Sequence, residues 1–101
     1  MIALSTAPDR GTAETIVRQL VTEGVVACGN IVPGVTSIYR WRGEVEAADE
    51  VLIVFKTTAS GWIRLKERLP QLHPYEVPEL LQIDVSDGHE PYLAWLREVV
   101  N

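Results

Sequence analysis

The chain has 101 residues, a length that suits one domain able to bury a core without disulfide staples. Apolar residues make up 47% and charged residues 23%, which excludes a disordered chain. A net charge of −5 argues against the basic face that a nucleic-acid partner needs.

One cysteine, Cys28, cannot form an internal disulfide, so nothing points to secretion. Met1-Ile2-Ala3-Leu4 turns polar at Ser5-Thr6, with no basic leader and no long apolar stretch. No run approaches ~18 apolar residues, so no membrane-spanning helix is expected. The expected location is the cytoplasm.

Residues 1–7 read as a buried strand ended by Pro8-Asp9. Asp9 can cap a helix by accepting a hydrogen bond from an N–H near Thr12. Ala13, Ile16, Val17, Leu20 and Val21 follow helical spacing, and Gly24 ends the run. Glu14 stands four residues before Arg18, the favourable order for a helix ion pair. Val25 to Cys28 read as strand, interrupted by Pro33-Gly34. From Val35 to Arg42 alternation is strict, with Val35, Ser37, Tyr39 and Trp41 on one face. Gly43-Glu44 predicts a type II′ turn. The return strand ends in five consecutive apolar residues, Val51 to Phe55, which predicts a central strand covered on both faces.

Ser60 is the expected cap of a second helix, whose apolar side carries Trp62, Leu65, Leu69 and Leu72. Pro70 should kink or end that helix, because proline removes a backbone donor and clashes with the preceding turn. His73-Pro74-Tyr75-Glu76-Val77-Pro78 cannot be regular helix, since the residue before each proline is pushed extended. Leu80 to Val85 predict a last strand. Pro91 suits the first position of a third helix bearing Tyr92, Leu93, Leu96, Val99 and Val100.

The order is βαββαβ with an added C-terminal helix, in one domain spanning 1–101. With right-handed crossovers this is an α+β, ferredoxin-like sandwich, with residues 1–7 and 51–57 as central strands and two helices on one face. The hairpin over 35–51 is longer than such a sheet requires. An overhanging two-stranded ribbon is marginal alone, and its free edges invite another chain. An obligate oligomer is the expected resolution.

Several segments together resemble the CutA family. They are Thr6-Ala7-Pro8, Ala27-Cys28-Gly29-Asn30-Ile31, Pro33 to Tyr39 leading to Trp41, Lys56-Thr57, His73 to Glu79, and Tyr92-Leu93-Ala94-Trp95-Leu96. The resemblance covers nearly the whole chain in the family's order and spacing. It implies a homotrimer of ferredoxin-like subunits with hairpins wrapping their neighbours, an architecture similar to PII-type signalling trimers. It also implies divalent-cation tolerance, with copper or another divalent cation as the ligand and no settled enzymatic activity. Where a copper site is proposed in the family, a cysteine stands at the position of Ser5 and a second histidine at that of Leu72. Of that set only His73 is present. Neither Ser5 nor Leu72 supplies a soft or borderline ligand. His89 replaces a common Asn or Asp at the third helix's cap.

The candidate residues each carry two readings. Cys28 is a metal ligand or a small buried apolar residue. His73 is a metal or substrate ligand, or it hydrogen-bonds the end of the second helix. Cys28, His73 and His89 form no local chelate motif. Lys56 reaches solvent, or pairs with Glu76 or Asp84 in a cleft between subunits. Tyr75 and Glu76, held between two prolines, suit that cleft or a structural crossover. Tyr39 and Trp41 are expected at the trimer interface, with a ligand platform as the alternative. No nucleophile–base pair, Gly-rich phosphate loop or aromatic RNA-binding motif is present, so the chain does not read as an enzyme. Three functions remain: a copper-linked tolerance trimer, a PII-like small-molecule-sensing or signalling trimer, and a scaffold for partner proteins.

Overall fold

The structure is a computed structural model that describes all of residues 1–101. In chain order the elements are β1 (Ile2–Ala7), α1 (Arg10–Thr22), β2 (Cys28–Trp41), β3 (Glu44–Lys56), α2 (Ala59–Leu72), β4 (Leu81–Ile83) and α3 (Glu90–Val99). The strands form one antiparallel sheet in the order β2-β3-β1-β4. That is the expected ferredoxin-like α+β architecture, with residues 1–7 and 51–57 supplying the two central strands.

Period-two alternation selects the core. Ala3, Ser5 and Ala7 of β1 are buried, and the register sets them beside Phe55, Ile53 and Val51 of β3. Onto this face fall Ala13, Ile16, Val17 and Leu20 of α1 and Leu65 and Leu69 of α2, in one continuous cluster. Each large side chain removed from water here contributes roughly 1.5–3 kcal/mol. A second, smaller cluster joins Leu96 and Val100 of the α3 end to Ala27. Only Leu96 of α3 itself is buried, so Tyr92 and Val99, expected on an apolar side, are largely exposed.

The helix ends follow elementary capping, with corrections. Asp9 Oδ1 accepts from Thr12 N at 2.7 Å, as its position predicts, and this bond holds its carboxyl below the usual range. Gly24 leaves α1 at φ +72. Glu14 pairs with Arg10 at 2.9 Å rather than with Arg18, the reverse of the favourable order. Thr58, not Ser60, caps α2. Its extended backbone lets Oγ1 accept from Gly61 N at 3.1 Å, while Ser60 lies inside the first turn. Pro70 does not end α2, which continues to Leu72. Proline's missing donor costs one bond to the preceding turn, and only Gln71 and Leu72 follow it in the helix. Arg68 forks onto Glu23 at 2.9 Å, tying α2 to the end of α1 and pulling the Glu23 pKa down to about 2. The third helix begins at Glu90, with no side-chain cap from His89.

Strand limits also differ from expectation. Val25 to Ala27 are buried approach rather than strand, and β2 starts at Cys28. Pro33-Gly34 does not interrupt β2. It forms a bulge, since Val32 pairs with Leu52 but Val35 with Glu50, leaving one extra residue on β2. The hairpin turn is Arg42-Gly43, not Gly43-Glu44, because Trp41 pairs with Glu44. Both turn residues have positive φ, +52 and +83, the left-handed pair of a type I′ turn. The last strand shrinks to Leu81–Ile83, the only part that finds partners on β1.

Gly61 sits where α2 crosses the chain before β2. A Cβ there would lie 2.6 Å from the Val25 carbonyl oxygen and 2.8 Å from Val100. Gly11, in exposed α1, has nothing nearer than 3.6 Å. Gly61→Ala is therefore expected to destabilise by about 1–3 kcal/mol through overpacking, and Gly11→Ala to stabilise slightly. Urea denaturation of the two variants at one protein concentration checks the opposite signs.

Candidate functional site

The ribbon formed by residues 28–56 runs beyond the sheet, giving the molecule extents of 44 × 25 × 21 Å. Along its odd-numbered face, Tyr39 pairs with Glu46 and Trp41 with Glu44. The segment after α2 folds back beside this face, and the two enclose a cavity of about 690 Å³. Tyr39, Trp41, Glu46 and Glu50 line it from the ribbon, and Tyr75, Glu76 and Glu79 from the returning segment.

His73 anchors the returning segment. Its ring is buried, with Nε2 at 2.7 Å from the Thr6 carbonyl and Nδ1 accepting from Tyr75 N at 3.1 Å. These partners require the tautomer protonated at Nε2 and occupy both nitrogens. The imidazole therefore bonds β1, not the end of α2. The Tyr75 ring lies 4.7 Å from it, and Tyr75 Oη donates to Glu50 Oε2 at 2.6 Å. Burial, and then the Glu50 carboxylate, push the Tyr75 phenol above its usual range. At the mouth, the Arg42 guanidinium stands 5.3 Å from the Trp41 ring centre and pairs with Glu76 at 3.2 Å.

The other candidates lie elsewhere. Cys28 is half-buried, with Sγ 3.7 Å from Tyr92 Oη. It pairs in register with Lys56, which pairs in turn with Ile2, whereas His73 bonds Thr6 at the opposite end of β1. Four residues of strand, ~13 Å, separate those ends. Lys56 thus lies away from Glu76 within the chain, and Glu76 takes Arg42 instead. Asp84 accepts from Gln82 Nε2 at 3.3 Å. No group of three or more His, Cys, Asp or Glu side chains is placed to hold a metal ion. Ser5 is fully buried and donates to the Glu79 carbonyl at 2.7 Å, while Leu72 packs against the core. Ser5 and Leu72 thus both serve the packing of the chain.

So the chain brings Tyr39, Trp41, Tyr75 and Glu76 together and leaves Lys56, Cys28 and His73 outside that set. Glu46, Glu50 and Glu79 are additional lining residues that the sequence reading passes over. The signal for the first two is their parity on β3, opposite the aromatic stripe of β2.

An antiparallel β2-β3-β1-β4 sheet under two helices, with an overlong hairpin, defines a ferredoxin-like α+β domain. The model of the CutA1 divalent ion tolerance protein family matches residues 1–99, and the chain belongs to that family. It is 50% identical over 97 residues to the divalent-cation tolerance protein CutA of Thermus thermophilus, covering 96% of this chain and 94% of that one. The solved Thermus thermophilus CutA1 structure superposes with a TM-score of 0.96 at 48% identity, covering 99% and 97% of the two chains. A structure named periplasmic divalent cation tolerance protein CutA, from Archaeoglobus fulgidus, matches at TM-score 0.95 and 30% identity, covering 99% and 97%. These names are those of tolerance proteins, not enzymes. No helix of the present chain is long and apolar enough to cross a membrane.

The Tyr75–Glu50 bond closes one end of the cavity by joining the returning segment to the ribbon. Tyr75→Phe is expected to cost about 1.5–3 kcal/mol, the scale for losing one charge-assisted bond. Glu50→Gln should cost a similar amount, and the double variant less than the sum. Denaturant midpoints across the four proteins measure that coupling.

Proposed function

We propose that the chain serves divalent-cation tolerance as a homotrimer, with copper as its cation. The observation that carries the assembly is the ribbon. Its outer strand β2 has a free edge, and Ile38 and Val45 are 72% and 69% exposed. The opposite sheet edge, β4, is also free and apolar, with Leu81 and Ile83 exposed. A β4 edge docked on a neighbour's β2 edge is a heterologous contact, and three such contacts close a ring with no end left over. Tyr39 and Trp41, both partly exposed, fit an interface lining as well as a cavity wall.

Copper demands soft or borderline donors. In one chain His73 has both nitrogens engaged, and Cys28 stands without a second such ligand. A copper site is then one that assembly completes, with Cys28 as the available thiol. Its lone unpaired cysteine also suits the reducing cytoplasm.

The second reading is a PII-like small-molecule-sensing trimer with ligand clefts between subunits. The cavity beside Tyr75 and Glu76 favours it. Lys56 would reach such a cleft only from a neighbouring subunit.

Light scattering is expected to report three times the 11.3 kDa chain, about 34 kDa. Tyr39→Ala with Trp41→Ala should loosen that assembly and make unfolding more dependent on concentration. A folded monomer at micromolar concentration would refute the trimer. In the same preparations, Cu(I) titration should show uptake that Cys28→Ser abolishes. Absence of uptake removes copper and leaves the trimer intact.

A further inference from the structure

The structure assigns a covalent modification site to the loop between β4 and α3. At Asp87-Gly88 the main chain isomerises, through a cyclic imide, to a β-linked aspartate. The product carries a free α-carboxylate, the group that a carboxyl methyltransferase specific for β-linked aspartate accepts.

The sequence singles out this pair. Of four aspartates and two asparagines, only Asp87 is followed by glycine. Ring closure brings the next residue's amide nitrogen onto the side-chain carbon, and a Cβ on that residue crowds the approach. Asn30 and Asp84 are followed by the β-branched Ile31 and Val85. Asp9 is committed to capping α1 through Thr12 N. Glu50, after Asp49, is fixed in the β3 ladder opposite Val35.

Geometry supplies a second, independent argument. Gly88 N donates to Asp87 Oδ1 at 2.8 Å, so the carboxyl is folded back onto its own following peptide. The carbon to be attacked lies one carbonyl bond beyond that oxygen. The nitrogen is thus at most about 4 Å from it, close to the ~3–3.5 Å of a near-attack arrangement. Gly88 N makes no backbone hydrogen bond that the reaction would have to break. Residues 84–89 are exposed and lie in no helix or strand, so the pair can turn and water can reach it.

The chemistry needs no cofactor. In the first step the Gly88 nitrogen bonds to Cγ of the protonated carboxyl. One Cγ–O bond breaks, and that oxygen leaves as water with the carboxyl proton and the amide proton. In the second step water opens the imide. Opening at the γ-carbonyl restores aspartate, and opening at the α-carbonyl leaves the chain linked through Cγ. Mass is unchanged overall. The β-linkage lengthens the main chain by one methylene just before α3, whose end packs on Ala27 through Leu96 and Val100.

The test is prolonged incubation of the intact, assembled protein at mildly acidic pH and physiological temperature. β-Linked aspartate is read by peptide mapping with fragmentation and by labelled methyl transfer from an isoaspartyl methyltransferase. It should accumulate at Asp87 and at no other aspartate. Gly88→Ala should slow it at least about tenfold, and the added Cβ meets only the flexible end of Leu93, at 3.2 Å. Asp87→Glu, which keeps the charge but enlarges the ring to be closed, should abolish it. Asp87→Asn should react faster and release ammonia. The rate in the native assembly should be no lower than in the urea-unfolded chain, because the fold holds the reacting groups together. A lower native rate would overturn the assignment, whether a neighbouring subunit or a rigid loop were the cause. Equal modification at the other aspartates, an unchanged rate in Gly88→Ala, or no β-linked product would overturn it too.

Discussion

The register of β3 governs both halves of the molecule. From Val51 to Phe55 its odd-numbered side chains enter the helix-covered core, paired with Ala7, Ser5 and Ala3. From Glu44 to Glu50 its even-numbered side chains stand opposite Tyr39 and Trp41 and include the cavity's ribbon carboxylates. A slip of one residue would send Phe55 to the other face and turn Glu46 and Glu50 away together. Core and candidate site are thus fixed by the same hydrogen-bond ladder. The buried apolar set supplies the energy that holds it.

The bulge at Val32–Val35 makes this arrangement work for β2. Before it, odd-numbered residues face the helices: Ile31 packs on the core, and Gly29 approaches Val17 of α1 so closely that a Cβ would stand 2.8 Å from it. After it, odd-numbered residues pair with even-numbered ones of β3. The extra residue therefore carries Tyr39 and Trp41 from the helix side to the cavity side. Gly34 takes φ +76, and Pro33, which lacks a donor, occupies a position where none is needed.

Much of this was legible in the sequence, and the failures have physical causes. The unbroken apolar run at Val51 to Phe55 marked a central strand, although within the chain only the face of Val51, Ile53 and Phe55 is covered by helices, and Leu52 and Val54 on the other are half-buried. Asp9 and Gly24 marked the ends of α1 because each does something few residues can. Thr58 and Ser60 are both hydroxyls, and only the backbone path decides which one caps. Pro33-Gly34 reads as a break, because a bulge and a break share the same residues and differ only in pairing. The turn was misplaced by one residue for the same reason. Glu46, Glu50 and Glu79 were passed over, because it is the fold that sets them around one space. His73 was expected to serve a metal or a helix end. In the chain its two nitrogens are divided between the Tyr75 amide, two residues away, and a β1 carbonyl across 67 residues of sequence, which no local pattern announces.

Family membership and local chemistry answer different questions in this chain. Near-full-length matches establish the fold and the tolerance family. They do not by themselves place a metal site, and Ser5 and Leu72 supply neither a thiolate nor an imidazole for a soft ion. Here those positions are put to mechanical use. Ser5 bonds the Glu79 carbonyl, His73 bonds the Thr6 carbonyl, and between these two ties hang Tyr75, Glu76 and Glu79. That end of β1 fixes the returning segment against the ribbon.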